Sequence, residues 1–370
     1  MLLIAFAAAA VAEERNADDS SQRIRDLLEQ LDSDSYAQRE AATSQLTKLG
    51  DQALAHLQEA LKSPQAETRL RAQRIIAEIQ QDDLQRRIDA FLTSTEPDAG
   101  QDLPVWPRFR ELVGDSPQAR QSYVSMLKAE GELLKAAASN PRVAAGAFQL
   151  RCQQLQAESA AQGRELEQAT LSAVLLVAAD DRVPVGSGTE SLLYRFCTHS
   201  AVKAELEQSD SDSIMRKLVG GWIASGRGGY YALRLAMQHE LPEGLSAAEK
   251  MLDGNTPAYY RQYAILTFAK LGNKSHISRL MKLLGDATVC TTHRVNDDTY
   301  QTQFRDIALV AVLHLAGYDP QMFGFERIRP HSEYVYSPYT LGFKDEQDRE
   351  AAFAKWEKIK PKVAPDPADE

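Results

Sequence analysis

The sequence predicts an all-α protein, an α-solenoid of stacked helical hairpins closed by an irregular, aromatic-rich C-terminal cap. Three observations carry that prediction. The stretch "EAATSQLTKLGDQALAHLQEALKS" at residues 40–63 returns in the third quarter of the chain as "YAILTFAKLGNKSHISRLMKLLGD", residues 263–286. Within each copy the apolar residues fall at steps of three and four, the spacing that lines one face of a helix. No stretch alternates apolar and polar residues for long enough to build a sheet.

Composition sets the outer bounds. With 370 residues, 44% hydrophobic and 25% charged, the chain has the balance of a folded protein. A single core of this size would be unusual, whereas repeats grow in one dimension and escape the limit. The formal net charge is −10, and the Arg cluster at Arg69, Arg71 and Arg74 sits among acids. No basic stripe is left for a phosphate backbone or an anionic membrane, so neither is expected as a partner.

In order along the chain, residues 1–12, "MLLIAFAAAAVA", are continuously apolar and end in a small-x-small pattern before Glu13 and Glu14. They are expected to be a signal peptide cut after Ala12, which would send the protein to the periplasm or the medium. Twelve residues are too few to cross a bilayer, which takes ~20, so no stable membrane insertion is expected after cleavage. Residues 13–20 are a linker. The odd count of cysteines, Cys152, Cys197 and Cys290, allows at most one disulfide and argues against a disulfide scaffold. Cys152 and Cys197 are expected buried and unpaired.

Residues 21–95 hold the first repeats. Laying 31–50 over 61–80 matches Leu31 with Leu61, Ser33 with Ser63, Arg39 with Arg69, Ala42 with Ala72, Leu46 with Ile76 and Leu49 with Ile79. Gly50 is a helix stop, and the helix after it is expected to bury Leu54, Leu57 and Leu61. The pattern recurs in 250–317, first as Arg261, Ala264, Phe268, Leu271 and Gly272 with a second helix through Ile277, Leu280 and Leu284. It recurs again as Arg305, Ala308, Val312, Leu315 and Gly317. A hairpin of this kind has more apolar face than it can bury alone and must stack on a neighbour. Its Arg is expected to reach the carbonyls or acids of an adjoining turn. On these residues the chain resembles HEAT-type helical repeats in their short bacterial form. "RDIALVAVLHLAGYDPQMFGF" followed by "YTLGFKDEQDREAAFAKW" is similar to the end of exported HEAT-repeat proteins of the planctomycete type. That resemblance implies an armadillo-type fold and export, and implies no reaction.

"TSTEPDAGQDLP" breaks the chain near residue 100, and 101–249 form a divergent helical region. Within it "GGWIASGRGGYY", residues 220–231, packs five glycines around a Trp and an Arg. It lacks the Lys-Ser/Thr and the preceding strand of a phosphate loop, and is expected to be a helix end and tight turn between buried helices. "SDSDS" (209–213) and "NDD" (296–298) lack the spacing of a calcium loop and suit turns and helix caps.

Residues 318–358 are the expected capping loop and helix, and 359–370 a disordered acidic tail. The loop 318–343 holds seven of the twenty-seven aromatic residues. Long ordered loops cover something or bind something, and Tyr and Arg dominate binding hot spots. Tyr334, Tyr336, Tyr339, Phe325, Arg327 and Arg329 are therefore the candidate binding residues. No catalytic residue and no cofactor is expected. The function that follows is a non-catalytic scaffold holding a protein or envelope component. The alternative is a metal-dependent enzyme with its site in loops 286–303 and 318–343, using Cys290, His293, His331 and Glu333 as a zinc-type ligand set.

Overall fold

The computed structural model describes residues 20–162, 166–186, 188–207 and 212–363. The expected leader, most of the linker, the start of the SDSDS stretch and the last seven residues lie outside them. The protein is mainly helical, with seventeen α-helices and little sheet among the described residues. Contacts divide the chain into two compact units, Met1–Gly100 and Gln101–Glu370.

The first unit contains α1 (residues 20–30), α2 (Tyr36–Leu49), α3 (Asp51–Ala60) and α4 (Ala66–Thr93). Leu31, Ala42, Leu46, Leu57, Ala72 and Ile75 meet in one core, which is the face expected from the three- and four-residue steps. Gly50 takes φ +57 where α2 stops and α3 begins, a conformation that L side chains resist. The repeated arginines do repeated work. Arg39 Nη1 donates to the carbonyls of Ser33 (2.6 Å) and Asp34 (3.2 Å). Arg69 Nη1 donates to those of Ser63 (2.7 Å) and Pro64 (2.8 Å), thirty residues on. Each satisfies two carbonyls of the turn that leads into its own helix. The expectation for α3 needs correction. Ala53 and Leu57 point inward at a four-residue step, Leu54 is half-buried, and Leu61, just past the helix end, is 40% exposed.

The second unit runs through α5 (Trp106–Val113), α6 (Pro117–Ser139), α7 (Pro141–Gln162), α8 (Gln168–Ala178), α9 (Thr189–Cys197) and α10 (Ser200–Glu207). It continues with α11 (Ile214–Ala224), α12 (Gly229–His239), α13 (Glu243–Asp253), α14 (Ala258–Leu271) and α15 (Ile277–Met281). A hairpin of β1 (Val289–Val295) and β2 (Asp298–Gln303) leads into α16 (Phe304–Ala316). A two-residue pair, β3 (Pro330–His331) with β4 (Val335–Tyr336), precedes α17 (Glu346–Val363). Packing passes along the chain: α6 on α8, α8 on α11, α11 on α13, α12 and α13 on α14, α14 on α16. Helices α8 and α16 are buried nearly all round because their sequences are mostly apolar, and α14 is buried from Gln262 to Ala269 but exposed in its first turn.

Cations from neighbouring elements close helix C-termini here too. Arg227 donates to the carbonyls of Ala178 and Asp180 (both 2.7 Å), Arg216 to that of His239 (3.2 Å), and Lys250 to that of Ala224 (2.7 Å). Arg261 reaches the Leu252 carbonyl at 3.4 Å, as expected of a repeat arginine. Arg305 instead binds Gln303 Oε1 and Glu346, so the fourth copy uses acceptor side chains. In "GGWIASGRGGYY" the glycines let α11 and α12 approach. A Cβ on Gly228 would lie 2.8 Å from Trp222 Cζ2.

The β1–β2 hairpin contradicts the expectation that no strands form. It is rich in Thr and Val, which fit a pleated surface. Asn296 adopts φ +56 in its two-residue loop, the turn chemistry expected of "NDD". The alternation was hidden by a register break between Val289 and Thr291, which turns both Cys290 and Thr291 inward. The helical ending also runs on to Val363, past the expected start of the tail at 359.

Candidate functional site: a tyrosine face

Helices α12 and α14 both begin with a pair of tyrosines. Gly229 at φ +54 starts α12 and Pro257 precedes α14, so Tyr230–Tyr231 and Tyr259–Tyr260 each fall in a first turn, at the same ends of two helices that pack together. Their rings meet: Tyr230 lies 6.0 Å from Tyr260 and 4.4 Å from Tyr263, and Tyr259 lies 5.3 Å from Tyr260. Tyr194, from α9, extends the row by packing 5.4 Å from Tyr231. The C-terminal loop completes it. The Tyr334 hydroxyl bonds that of Tyr230 at 2.8 Å, and the Tyr339 hydroxyl bonds that of Tyr259 at 3.2 Å. Eight of the thirteen tyrosines thus join in one connected face.

A buried amide holds this face in register. Gln262, fully buried on α14, donates from Nε2 to the Tyr259 carbonyl (2.7 Å) and accepts at Oε1 from the Thr291 hydroxyl (2.9 Å). The bulge in β1 is what turns Thr291 toward it. At the other edge Arg234 of α12 grips Glu333 through two bonds of 3.0 and 3.1 Å and lies 5.5 Å from the Tyr194 ring centre. Burial raises the Glu333 carboxyl, but the Arg234 bonds outweigh it and leave the group below the usual range. Burial, and then the neighbouring hydroxyls, hold the phenols of Tyr263 and Tyr334 well above the usual tyrosine range, and the Tyr259 hydroxyl followed by burial raises Tyr339. These phenols are neutral donors and acceptors at physiological pH. They can bind a partner through ring faces and hydroxyls.

The loop residues singled out from the sequence divide sharply. Tyr339, 39% exposed, belongs to the face, while Tyr334 belongs to it from below and is buried. Phe325 is also buried, packed 4.9 Å from Phe343, so the loop partly folds back as a cover. Tyr336 hydrogen-bonds His314 Nδ1 at 3.3 Å, with its ring edge-on to the imidazole. Between the two tyrosines Val335 has φ +66, and the Tyr336 N–H donates back to the Tyr334 carbonyl at 2.7 Å. This tight turn at a β-branched residue sends the two rings to different neighbours. Arg327 lies over the Tyr300 ring, and the Arg329 side chain is exposed.

The four residues of the metal alternative do not assemble into a ligand set. Cys290 is buried with its thiol toward the Thr288 carbonyl (3.7 Å), and burial pushes that thiol up to about 12. His293 lies three residues further along the strand, ~10 Å by extended geometry, with its ring 5.8 Å from Tyr339. His331 stacks on Tyr334 at 4.4 Å and accepts the Glu333 N–H, and Glu333 is held by Arg234. Among the described residues no three His, Cys, Asp or Glu side chains are placed to hold a metal ion. All three cysteines are free and buried. The residues the sequence argument missed are Tyr194, Tyr230, Tyr231, Tyr259, Tyr260, Tyr263 and Arg234. The signal was present: "GYYALRLA" and "AYYRQYAI" carry twin tyrosines twenty-nine residues apart, close to the repeat length. No protein-family model matches this chain, and no curated protein matches it at a significant level.

Proposed function

We propose that this protein is an exported, non-catalytic α-solenoid scaffold of HEAT-like repeats that binds a protein or envelope component through its tyrosine face. The observation that carries the proposal is the exposure of Tyr259 (43%), Tyr260 (43%) and Tyr339 (39%) side by side on a rigid, hydrogen-bonded base. Rigid amphipathic rings give contact area at little entropic cost and are enriched in interface hot spots. The thirty-residue match of α2 with the start of α4, the shared arginine contact and the chain-order packing of the second unit support the solenoid. The apolar, small-x-small start of the sequence supports export.

The test is affinity capture from the source organism's envelope and secreted fractions with the chain from Glu13, beside a Tyr259→Ala, Tyr260→Ala, Tyr339→Ala bait. All three rings are exposed, so the variant should melt as wild type does. Partner recovery should fall by more than tenfold, about 1.4 kcal/mol or more. Equal recovery on both baits would remove the face from the proposal, and a folded wild-type bait that captures nothing specific would remove the scaffold.

A further inference from the structure

A separate cavity of about 320 Å³ opens between β2, both ends of the capping loop and the first turns of α17, and it shares no residue with the tyrosine face. Arg327 lines it, with its guanidinium 3.6 Å from the centre of the Tyr300 ring. Arg327 makes no hydrogen bond; its Nη1 is shut off from solvent, so a ligand in the cavity meets the rest of the guanidinium, which is only half-buried. The other two cations of the lining are engaged: Lys344 with Asp298 at 2.8 Å, and Lys355 with the Met322 carbonyl at 3.1 Å. Arg327 alone is held by a ring face and by no acceptor.

We propose that this cavity binds a carboxylate with a short apolar body, the carboxylate accepting from Arg327. A planar guanidinium pre-stacked on a ring presents a fork that fits two carboxylate oxygens with little ordering cost. Phe323, Phe343 and Ala352, all buried, give the interior an apolar wall for the body of the ligand. Glu326 and Asp348 also line the cavity, and with Lys344 already paired there is no excess of positive charge to hold a phosphate dianion. A single charge fits better. The carboxylate could arrive on a free small acid or at the end of a peptide chain, and both offer the same chemistry to Arg327.

Calorimetric titration of the intact chain tests the proposal, with hexanoate as the free acid and acetyl-Ala-Ala-Phe as the peptide, the latter with a free or an amidated terminus. Saturable binding of hexanoate, of the free-terminus peptide or of both is expected, and which one binds identifies the source. Amidation should abolish peptide binding. Arg327→Gln should weaken the bound probe at least tenfold, with Arg327→Lys intermediate because it keeps the charge but loses the fork. Arg327→Lys also guards against a folding defect in the Gln variant, and circular dichroism melts of both should overlay the wild type. No saturable binding of any probe up to about 10 mM, the edge of measurable affinity, would overturn the proposal. So would equal binding by wild type and a folded Arg327→Gln, or by the free and amidated peptides.

Discussion

Arg349 and Asp306 bind each other at 2.9 Å with 4% and 0% of their side chains exposed, where solvent cannot soften an error. Arg349 also donates to the Gln301 carbonyl (2.9 Å), and Asp306 accepts the Gln303 N–H (2.8 Å), so one pair ties α17, β2 and the start of α16 together. Burial, partly offset by the Gln303 N–H and by Arg349, pushes Asp306 up to about 6. Its native value therefore lies above its unfolded one, and its contribution to stability is largest when it is protonated and is lost as pH rises through about 6. Arg349→Met, which strands the carboxylate, should cost about 3–5 kcal/mol near pH 8. The cost should be clearly smaller near pH 5, where Asp306 can take up a proton. Urea unfolding at both pH values checks this, and an equal or larger cost at the lower pH would contradict it. Glu333 has the opposite sign. Held below the usual range by Arg234 despite its burial, it stabilises above its unfolded value and loses that contribution on acidification. Protection factors of the amides in 330–340, taken relative to intrinsic exchange at each pH, should therefore fall on acidification, and Glu333→Gln should lower them already at neutral pH.

Among the elements, α2 and the start of α4 make the same arginine-to-turn contact and bury the same small residue, Ala42 or Ala72. Arg39→Ala and Arg69→Ala should accordingly cost similar amounts, about 1–2 kcal/mol each, since each frees two turn carbonyls at the surface. Leu46→Ala, which opens a hole in the core, should cost about 2–5 kcal/mol. A cost for Leu46 no larger than that of the arginines would argue against the core assigned to this unit. These elements were legible because Ala42, Leu46 and Gly50 mark a face and a stop within a single helix, where spacing alone decides burial. The β1–β2 hairpin was not. Its inward side chains depend on a bulge at Cys290, and its partner on α14, Gln262, is polar, so neither periodicity nor hydropathy announced it.

For the whole molecule, the tyrosine face depends on segments far apart in sequence: α9, α12, α14 and the loop before α17. The loop's aromatic density pointed to the right region. It could not separate Tyr339, which faces out, from Phe325 and Tyr334, which face in, because that division is made by Val335 and by docking on α12 and α14. The twin tyrosines were visible at their repeat spacing, yet that they share one surface follows only from the packing of α12 on α14. The central claim is that this surface is where a partner sits. The most direct measurement places the photo-crosslinking residue p-benzoylphenylalanine at Tyr260, and in a second chain at Leu150 on α7, which is also well exposed. Each is irradiated in the organism's envelope and secreted fractions. A discrete covalent adduct from position 260 and none from 150 is the predicted result. Adducts from neither position, or the same set from both, would contradict a binding role for the tyrosine face.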